Sequence, residues 1–238
     1  MSLRVGAAIL TLRTLGVALI SSLTLVWAGV GGPPVAAAQT RRPVPEDDTQ
    51  QWSDAQLSVP VSKEIDFVLN GTLRVGDDLS RPVDERIGVG FSFKAGKYLT
   101  FYPNYTNISA RPANGRRAYE NRLSFAGTLR LPLGRFTLSD RHLFERRLRS
   151  PFDSTRYRNR LTLEHPFTVR GVKFQLFVSD EVFYDWSVNV WVRNRFTAGA
   201  SRRFNRQFTT DFYYLRQHDG RSRPGDLHVL GTTFRIRL

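Results

Sequence analysis

From Glu64 to Leu238 one pattern recurs: an apolar side chain at every second position, then a turn, then another such run. Arg86–Lys94 reads RIGVGFSFK, with Ile87, Val89, Phe91 and Phe93 separated by small or charged residues. Tyr119–Leu131 sets Leu123, Phe125, Leu129 and Leu131 against Glu120, Arg122, Ser124, Thr128 and Arg130. The runs Arg156–Glu164, Val172–Phe183, Val192–Arg202, Gln207–Arg216 and His228–Leu238 behave alike. Successive side chains of a strand point to opposite faces, so a sustained period of two predicts an all-β domain.

A longer repeat overlies the alternation. Asn121-Arg122-Leu123, Asn159-Arg160-Leu161 and Asn194-Arg195-Phe196 lie 38 and 35 residues apart, and a degenerate copy, Glu85-Arg86-Ile87, lies 36 residues upstream. A period holding two strands is a repeating β-hairpin. Every copy places its arginine on the polar face of a strand.

Two facts decide which face is interior. The polar face is rich in charge, and no second large apolar set exists to fill a conventional core. A soluble barrel would be apolar inside and polar outside. A membrane barrel is the reverse, with an apolar belt toward lipid and a polar lumen. The expected fold is therefore a transmembrane antiparallel up-and-down β-barrel of about ten strands, with twelve as the alternative. In the ten-strand reading both chain ends lie in the periplasm. Turns near Lys97, Gly134, Thr168 and Asn205 are periplasmic, and 76–83, 109–118, 147–155, 184–191 and 217–226 are external loops. Trp52–Val59 is then an extra segment that pairs at the seam, enters the lumen or belongs to a twelve-stranded barrel.

The N-terminal residues suit that location. Arg4 and Arg13 precede an apolar run from Leu15 to Val30, and Ala36-Ala37-Ala38 follows. Basic start, apolar centre and small residues describe a secretory signal peptide over 1–38. Residues 39–51 read as a flexible periplasmic leader, and 52–238 as the barrel domain. The chain has no cysteine, which excludes disulfides, thiolate metal sites and a lipidated N-terminal cysteine. It carries 35 basic and 21 acidic residues, and loss of Arg4 and Arg13 leaves a mature net charge of +12. The arginines are spread along strands, with no basic helix or tail, so no nucleic-acid partner is expected.

The early Trp52, the repeated Arg/Asn-Arg strand starts, Asp180-Glu181-x-Phe183 and the final strand together resemble a bacterial outer-membrane β-barrel family, domain of unknown function 2490. The resemblance spans the mature chain and implies the outer membrane as location, with no activity attached. Gly231-x-x-Phe234-x-Ile236-x-Leu238 also resembles the C-terminal signal read by the barrel-assembly machinery. It departs from the usual form in ending on leucine.

The candidate site is the lumen. Arg86, Arg122, Arg160 and Arg195 are expected near the external end as a spiral, because strands in a barrel are tilted. Arg130, Arg141, Arg156, Arg158, Lys173, Arg193 and Arg235 join them, opposed by Glu120, Glu145, Glu164, Glu181 and Asp211. A turn flanked by Pro132 and Arg135 would pair Arg122 with Glu145 and Glu120 with Arg147. Excess arginine predicts a narrow passive channel or binding cavity for small anionic solutes. The alternative is a structural or surface-interaction barrel closed by ion pairs. A remoter one is an outer-membrane lipid hydrolase, drawn from Asn121, Asp140, His142, Asn159 and Asn194 on the lipid side. That chemistry needs a serine beside the histidine, and none falls in register. No metal or cofactor is expected, since His142, His165, His218 and His228 lack ligand spacing. The remaining expected partners are outer-membrane lipid and the assembly machinery.

Overall fold

The computed structural model describes residues 47–111 and 116–238. The expected signal peptide and most of the leader lie outside these. The described chain forms β1 Asp47–Pro60, β2 Ile65–Gly76, β3 Arg81–Ala95, β4 Leu99–Ala110, β5 Ala118–Leu133, β6 Phe136–Arg149, β7 Ser154–Val169, β8 Val172–Asp185, β9 Val190–Arg203, β10 Phe208–Asp219 and β11 Asp226–Arg237. Each pairs antiparallel with its sequence neighbour, and the sheet closes where β1 meets β11. Closure removes every free sheet edge, the condition for strands to cross lipid.

The strand number corrects the sequence expectation. Among the described residues there are eleven strands, neither ten nor twelve, and β1 runs parallel to β11 from Asp47↔Asp226 to Ser58↔Arg237. An odd count in an up-and-down barrel forces one parallel pair. It also places the start of β1 at the opposite end of the barrel from Leu238, so the two ends of the domain do not share a side. Residues 47–51, read as leader, are already strand. Their register is fixed by polar contacts that alternation does not reveal. The Asp48 carboxylate accepts the backbone N–H groups of Asp77 (3.1 Å) and Asp78 (2.8 Å). It thereby holds a connection in which Asp77, Asp78 and Leu79 all have positive φ.

Connections 61–64, 96–98, 134–135, 170–171 and 204–207 lie at one end, and 77–80, 150–153, 186–189 and 220–225 at the other. The second set is longer on the whole, as external loops of such barrels are. The β7–β8 turn falls at Arg170-Gly171, both with positive φ, two residues beyond the expected Thr168. The strands run further than alternation indicated, so the longer connections are shorter than expected.

The outer surface is the apolar belt. Ile87, Phe91, Leu123, Phe125, Leu161, Leu176, Phe196, Phe212 and Leu230 are all exposed. The buried set is mostly polar: Asp66, Glu120, Arg122, Glu145, Arg156, Glu181, Arg195, Asp211 and Gln217. Apolar outside and charged inside is the membrane-barrel arrangement. The lumen also holds a hydrophobic cluster of Trp52, Leu215, Leu227 and Val229, against which Tyr213 packs. That cluster sits on the inner side of the β1–β11 seam.

Candidate functional site

The strand pleat sends alternate side chains inward, and guanidinium and carboxylate groups of β5–β9 form a layer within the lumen. The β5–β6 hairpin closes on Leu133↔Phe136 around Gly134-Arg135, which puts Arg122 opposite Arg147 and Ser124 opposite Glu145. This register is two residues from the expected one. The expected ion pairs form nonetheless, as diagonals: Arg122 to Glu145 at 3.1 Å and Arg147 to Glu120 at 2.7 Å. Long side chains reach diagonal neighbours across a twisted sheet, so charge pairing survives the shift.

Three carboxylates organise the layer. Glu145, 2% exposed, accepts from Arg122, Arg156 and Arg158 at 2.6–3.1 Å. Glu181 accepts from Arg158 at 2.7 Å and Arg160 at 3.2 Å, with Arg195 at 3.9 Å. Glu120 binds Arg122 and Arg147. Six guanidiniums thus share three carboxylates. Elsewhere pairing is closer to one-to-one. Arg86 forks onto Asp84 at 2.6 and 2.7 Å, Arg235 meets Asp211 at 2.5 Å, and Arg130 pairs with Glu164.

Aromatic rings supply the rest of the arginines' environment. Phe183 is fully buried, with Arg158 (4.5 Å), Arg195 (4.9 Å), Arg156 (5.2 Å) and Arg193 (5.4 Å) around its ring. Trp52 lies under Arg74 at 3.7 Å and Arg195 at 4.9 Å. A desolvated cation over an aromatic face is worth about 2 kcal/mol, so the rings offset part of the shortage of carboxylates. Arg74 leans on its ring, since its buried Nε has no hydrogen-bond partner and its carboxylate contact, Asp84, is at 3.9 Å.

Two cavities flank this layer. One, of about 650 Å³, lies toward the longer connections and is lined by Asp77, Arg81, Arg122, Arg147, Arg193 and Arg221, among others. The second, of about 580 Å³, lies toward the short turns, with Arg130, Arg160, Glu164, Asp211 and Arg235 in its wall. Arg74, Arg86, Arg158 and Arg195 line both.

The four repeated arginines therefore do not gather near the external end as expected. Arg122 lines the upper cavity only, Arg86 and Arg195 stand at the waist, and Arg160 lines the lower cavity only. Strand tilt carries equivalent positions up and down the lumen. Lys173, expected in the lumen, is exposed beside the Arg170-Gly171 turn and lines neither cavity, because it lies only one residue inside β8. Arg141 faces inward but also lines neither cavity. Sequence reasoning missed Trp52 and Tyr213 as lumen residues, because a large aromatic on a polar face reads as noise in the alternation. Phe183 shares the odd-numbered parity of Glu181 on β8, and that signal pointed inward.

The outward partners of the repeat also find neighbours. Asn121 Oδ1 accepts from the Tyr105 hydroxyl (2.8 Å) and Asn107 Nδ2 (2.9 Å). Asn159 donates to Asp140 (2.6 Å), and Asn194 to Asp180 (2.9 Å). His142 lies 3.2 Å from Asp140 through Nε2 and 2.6 Å from the Tyr157 hydroxyl through Nδ1. Both ring nitrogens are thus engaged within the wall. In the final strand, Phe234 stacks on Phe208 at 6.3 Å, Ile236 is register partner of Phe208, and the Leu238 N–H donates to Ser58 O (3.1 Å). Gly231 lies under the Tyr213 ring, where an added Cβ would stand 2.0 Å from a ring carbon.

Residues 49–228 match the model of a family described as protein of unknown function (DUF2490). No curated protein matches the chain. Solved structures similar to the chain include two outer-membrane proteins' barrels, each matching over most of its length. LpxR from Salmonella typhimurium is 10% identical with a TM-score of 0.49, over 77% of this chain and 87% of that one. The beta domain of the Bordetella autotransporter BrkA is 13% identical with a TM-score of 0.40, over 74% and 85%.

Proposed function

From the premise that the chain belongs to the protein family of unknown function DUF2490, we propose that it is an outer-membrane barrel whose lumen admits and binds small anionic solutes. The reading rests on one observation. The four side chains that line both cavities, Arg74, Arg86, Arg158 and Arg195, are all cations. A solute passing the waist meets guanidiniums whichever end it enters, and low-dielectric walls focus their field. Carboxylate, sulfate and phosphate groups match the guanidinium fork. Glu145 and Glu181 keep the passage narrow by tying arginines of neighbouring strands together.

Planar-bilayer recording of the purified chain under a potassium chloride gradient tests this. The expected result is a small conductance with a reversal potential favouring chloride. Cation preference, or no conductance together with no anion binding, would refute it. The second reading, a barrel closed by structural ion pairs, is favoured by the three guanidiniums on Glu145 and would then stand. Hydrolysis of lipid at the outer wall does not belong to the proposal. Asp140 faces one nitrogen of His142 and the Tyr157 hydroxyl the other, so the hydroxyl beside the imidazole is a phenol and not the serine that such a hydrolysis calls for.

A further inference from the structure

Arg141 is the exception to the pairing that governs the lumen. It sits on β6 between Leu143 and Ser139 on the inner face, and is half-buried. Among the described residues every other inward arginine of β5, β6 and β7 has a carboxylate, a hydroxyl or an aromatic ring as partner. Arg149, at the top of β6, bonds Ser154 at 3.4 Å, and Arg130 pairs with Glu164. Among the described residues Arg141 has no hydrogen-bond, ion-pair or ring partner. Its cross-strand neighbours are Thr128 on β5 and Arg160 on β7. Like charges directly opposite one another in a sheet are destabilising. Glu181, the carboxylate of Arg160, is also shared with Arg158 and approached by Arg195. Glu181 and Glu145 act on Arg141 only at longer range, so its guanidinium donors stand free to bind an anion.

A neutral donor stands within reach. Tyr102 on β4 is register partner of Ala126 on β5, itself partner of Leu143, the inward neighbour of Arg141 on β6. The Tyr102 hydroxyl accepts from Asn70 Nδ2 at 2.6 Å. One orientation of the Asn104 amide satisfies both its ends: the oxygen accepts from Thr106 Oγ1 (2.8 Å), and the nitrogen donates to Val89 O (2.9 Å) and the Tyr102 hydroxyl (3.2 Å). Tyr102 then receives two amide N–H groups and keeps its own proton to donate. Arg160 lines the lower cavity, so the region is reached from the short-turn end.

We propose that Arg141 and Arg160, with the Tyr102 hydroxyl as third donor, form a discrete site for a doubly charged tetrahedral oxyanion of the phosphate or sulfate type. The inference rests on the anion-binding lumen proposed above and specifies one site within it. Two guanidiniums provide fork donors for oxygen acceptors. Charge selects further. With six guanidiniums on three carboxylates nearby and Arg141 added, a dianion compensates the excess better than chloride does.

The test uses the full chain, purified in detergent, titrated with inorganic phosphate, sodium sulfate or sodium chloride at constant ionic strength and followed by calorimetry. The wild type is expected to bind phosphate and sulfate at least about tenfold more tightly than chloride. Arg141→Gln is expected to lose about tenfold in phosphate affinity and Tyr102→Phe about threefold to tenfold. Lys173→Gln, exposed and lining neither cavity, is expected to leave affinity unchanged. Because Arg141 lacks a protein partner, Arg141→Gln should be at least as heat-stable as the wild type in phosphate-free buffer, and should lose the stabilisation that phosphate gives the wild type. Equal phosphate affinity in wild type and Arg141→Gln overturns the site, as does a loss of stability on substitution without phosphate. If the bilayer shows chloride-selective current but phosphate binds no better than chloride, this site fails while the wider reading stands. If phosphate binds through Arg141 and no current flows, the site stands while passage fails.

Discussion

Replacing Glu145 by glutamine should be among the most damaging conservative changes in the barrel. The carboxylate is buried, and its two oxygens take Arg156 at 2.6 Å and Arg122 and Arg158 at 3.1 Å each. The amide keeps the shape, removes the charge and turns one acceptor into a donor facing a guanidinium. Arg122 retains Glu120, and Arg158 retains Glu181. Arg156 has no second carboxylate and is left with the face of Phe183 at 5.2 Å. Removing one partner of a buried ion pair costs about 3–5 kcal/mol, most of it from the charge left behind. With a urea dependence of about 2 kcal/mol per M, the unfolding midpoint should fall by about 1.5–2.5 M. Glu164→Gln is the control. Its partner Arg130 is more than half exposed, and pairs of that kind are worth at most about 1 kcal/mol. The double change Glu145→Met with Arg156→Met should recover most of the loss, because removing both charges removes the uncompensated one. Urea titration in detergent, followed by tryptophan fluorescence, reads all three. If Glu145→Gln unfolds within about 0.3 M of Glu164→Gln, roughly 0.6 kcal/mol at that slope, the lumen is wet enough to solvate its arginines and the layer is not a structural unit.

Three further outcomes are expected. Gly231→Ala should cost about 1–3 kcal/mol through overpacking against Tyr213, lowering the temperature at which the folded band converts on a heat-modifiability gel, and Tyr213→Leu in the same chain should restore much of it. Leu161→Arg, on the exposed belt, should cost about 2–4 kcal/mol in bilayers, whereas folding in short-chain detergent should change less; equal loss in both would argue against a lipid-facing wall. Single cysteines at Asp47 and Ser222 should react with an impermeant maleimide from one side of oriented proteoliposomes and a cysteine at Gly134 from the other, since β1 runs parallel to β11; labelling of Asp47→Cys together with Gly134→Cys would contradict that seam.

Much of the wall was legible because lipid and lumen impose opposite chemistries on adjacent residues. The triplet Asn159-Arg160-Leu161 carries the whole logic: Asn159 turns outward to Asp140, Arg160 inward to Glu181, and Leu161 begins the exposed belt. Charge pairs were legible too, since Arg122 and Glu145 meet even though the register differs by two. β1 was not legible as an equal member of the sheet. Its outward residues Gln51, Ser53 and Ala55 form a weak lipid-facing pattern, while its large residue, Trp52, points inward. Nor could alternation show that Arg141 is unpaired. Pairing depends on which rotamers the neighbouring arginines adopt around Glu181, and a period of two carries no information on that.

The seam is where these features meet. Parallel ladders are slightly weaker per residue than antiparallel ones, and the β1–β11 pair is the parallel one in this wall. The hydrophobic cluster of Trp52, Leu215, Leu227 and Val229 lies on its inner side. Burial there stabilises the closing pair from within, and the Trp52 ring also carries Arg74 and Arg195. Trp52→Ala should therefore act locally as well as globally. Deleting a buried tryptophan side chain costs about 3–5 kcal/mol, and two guanidiniums lose an aromatic face. Amide exchange should accelerate most in β1 and β11, with little change in β5 and β6, whose closure depends on Glu120 and Glu145. Uniform acceleration around the barrel would mean that the cluster supports the fold as a whole and that the parallel seam has no special need of it.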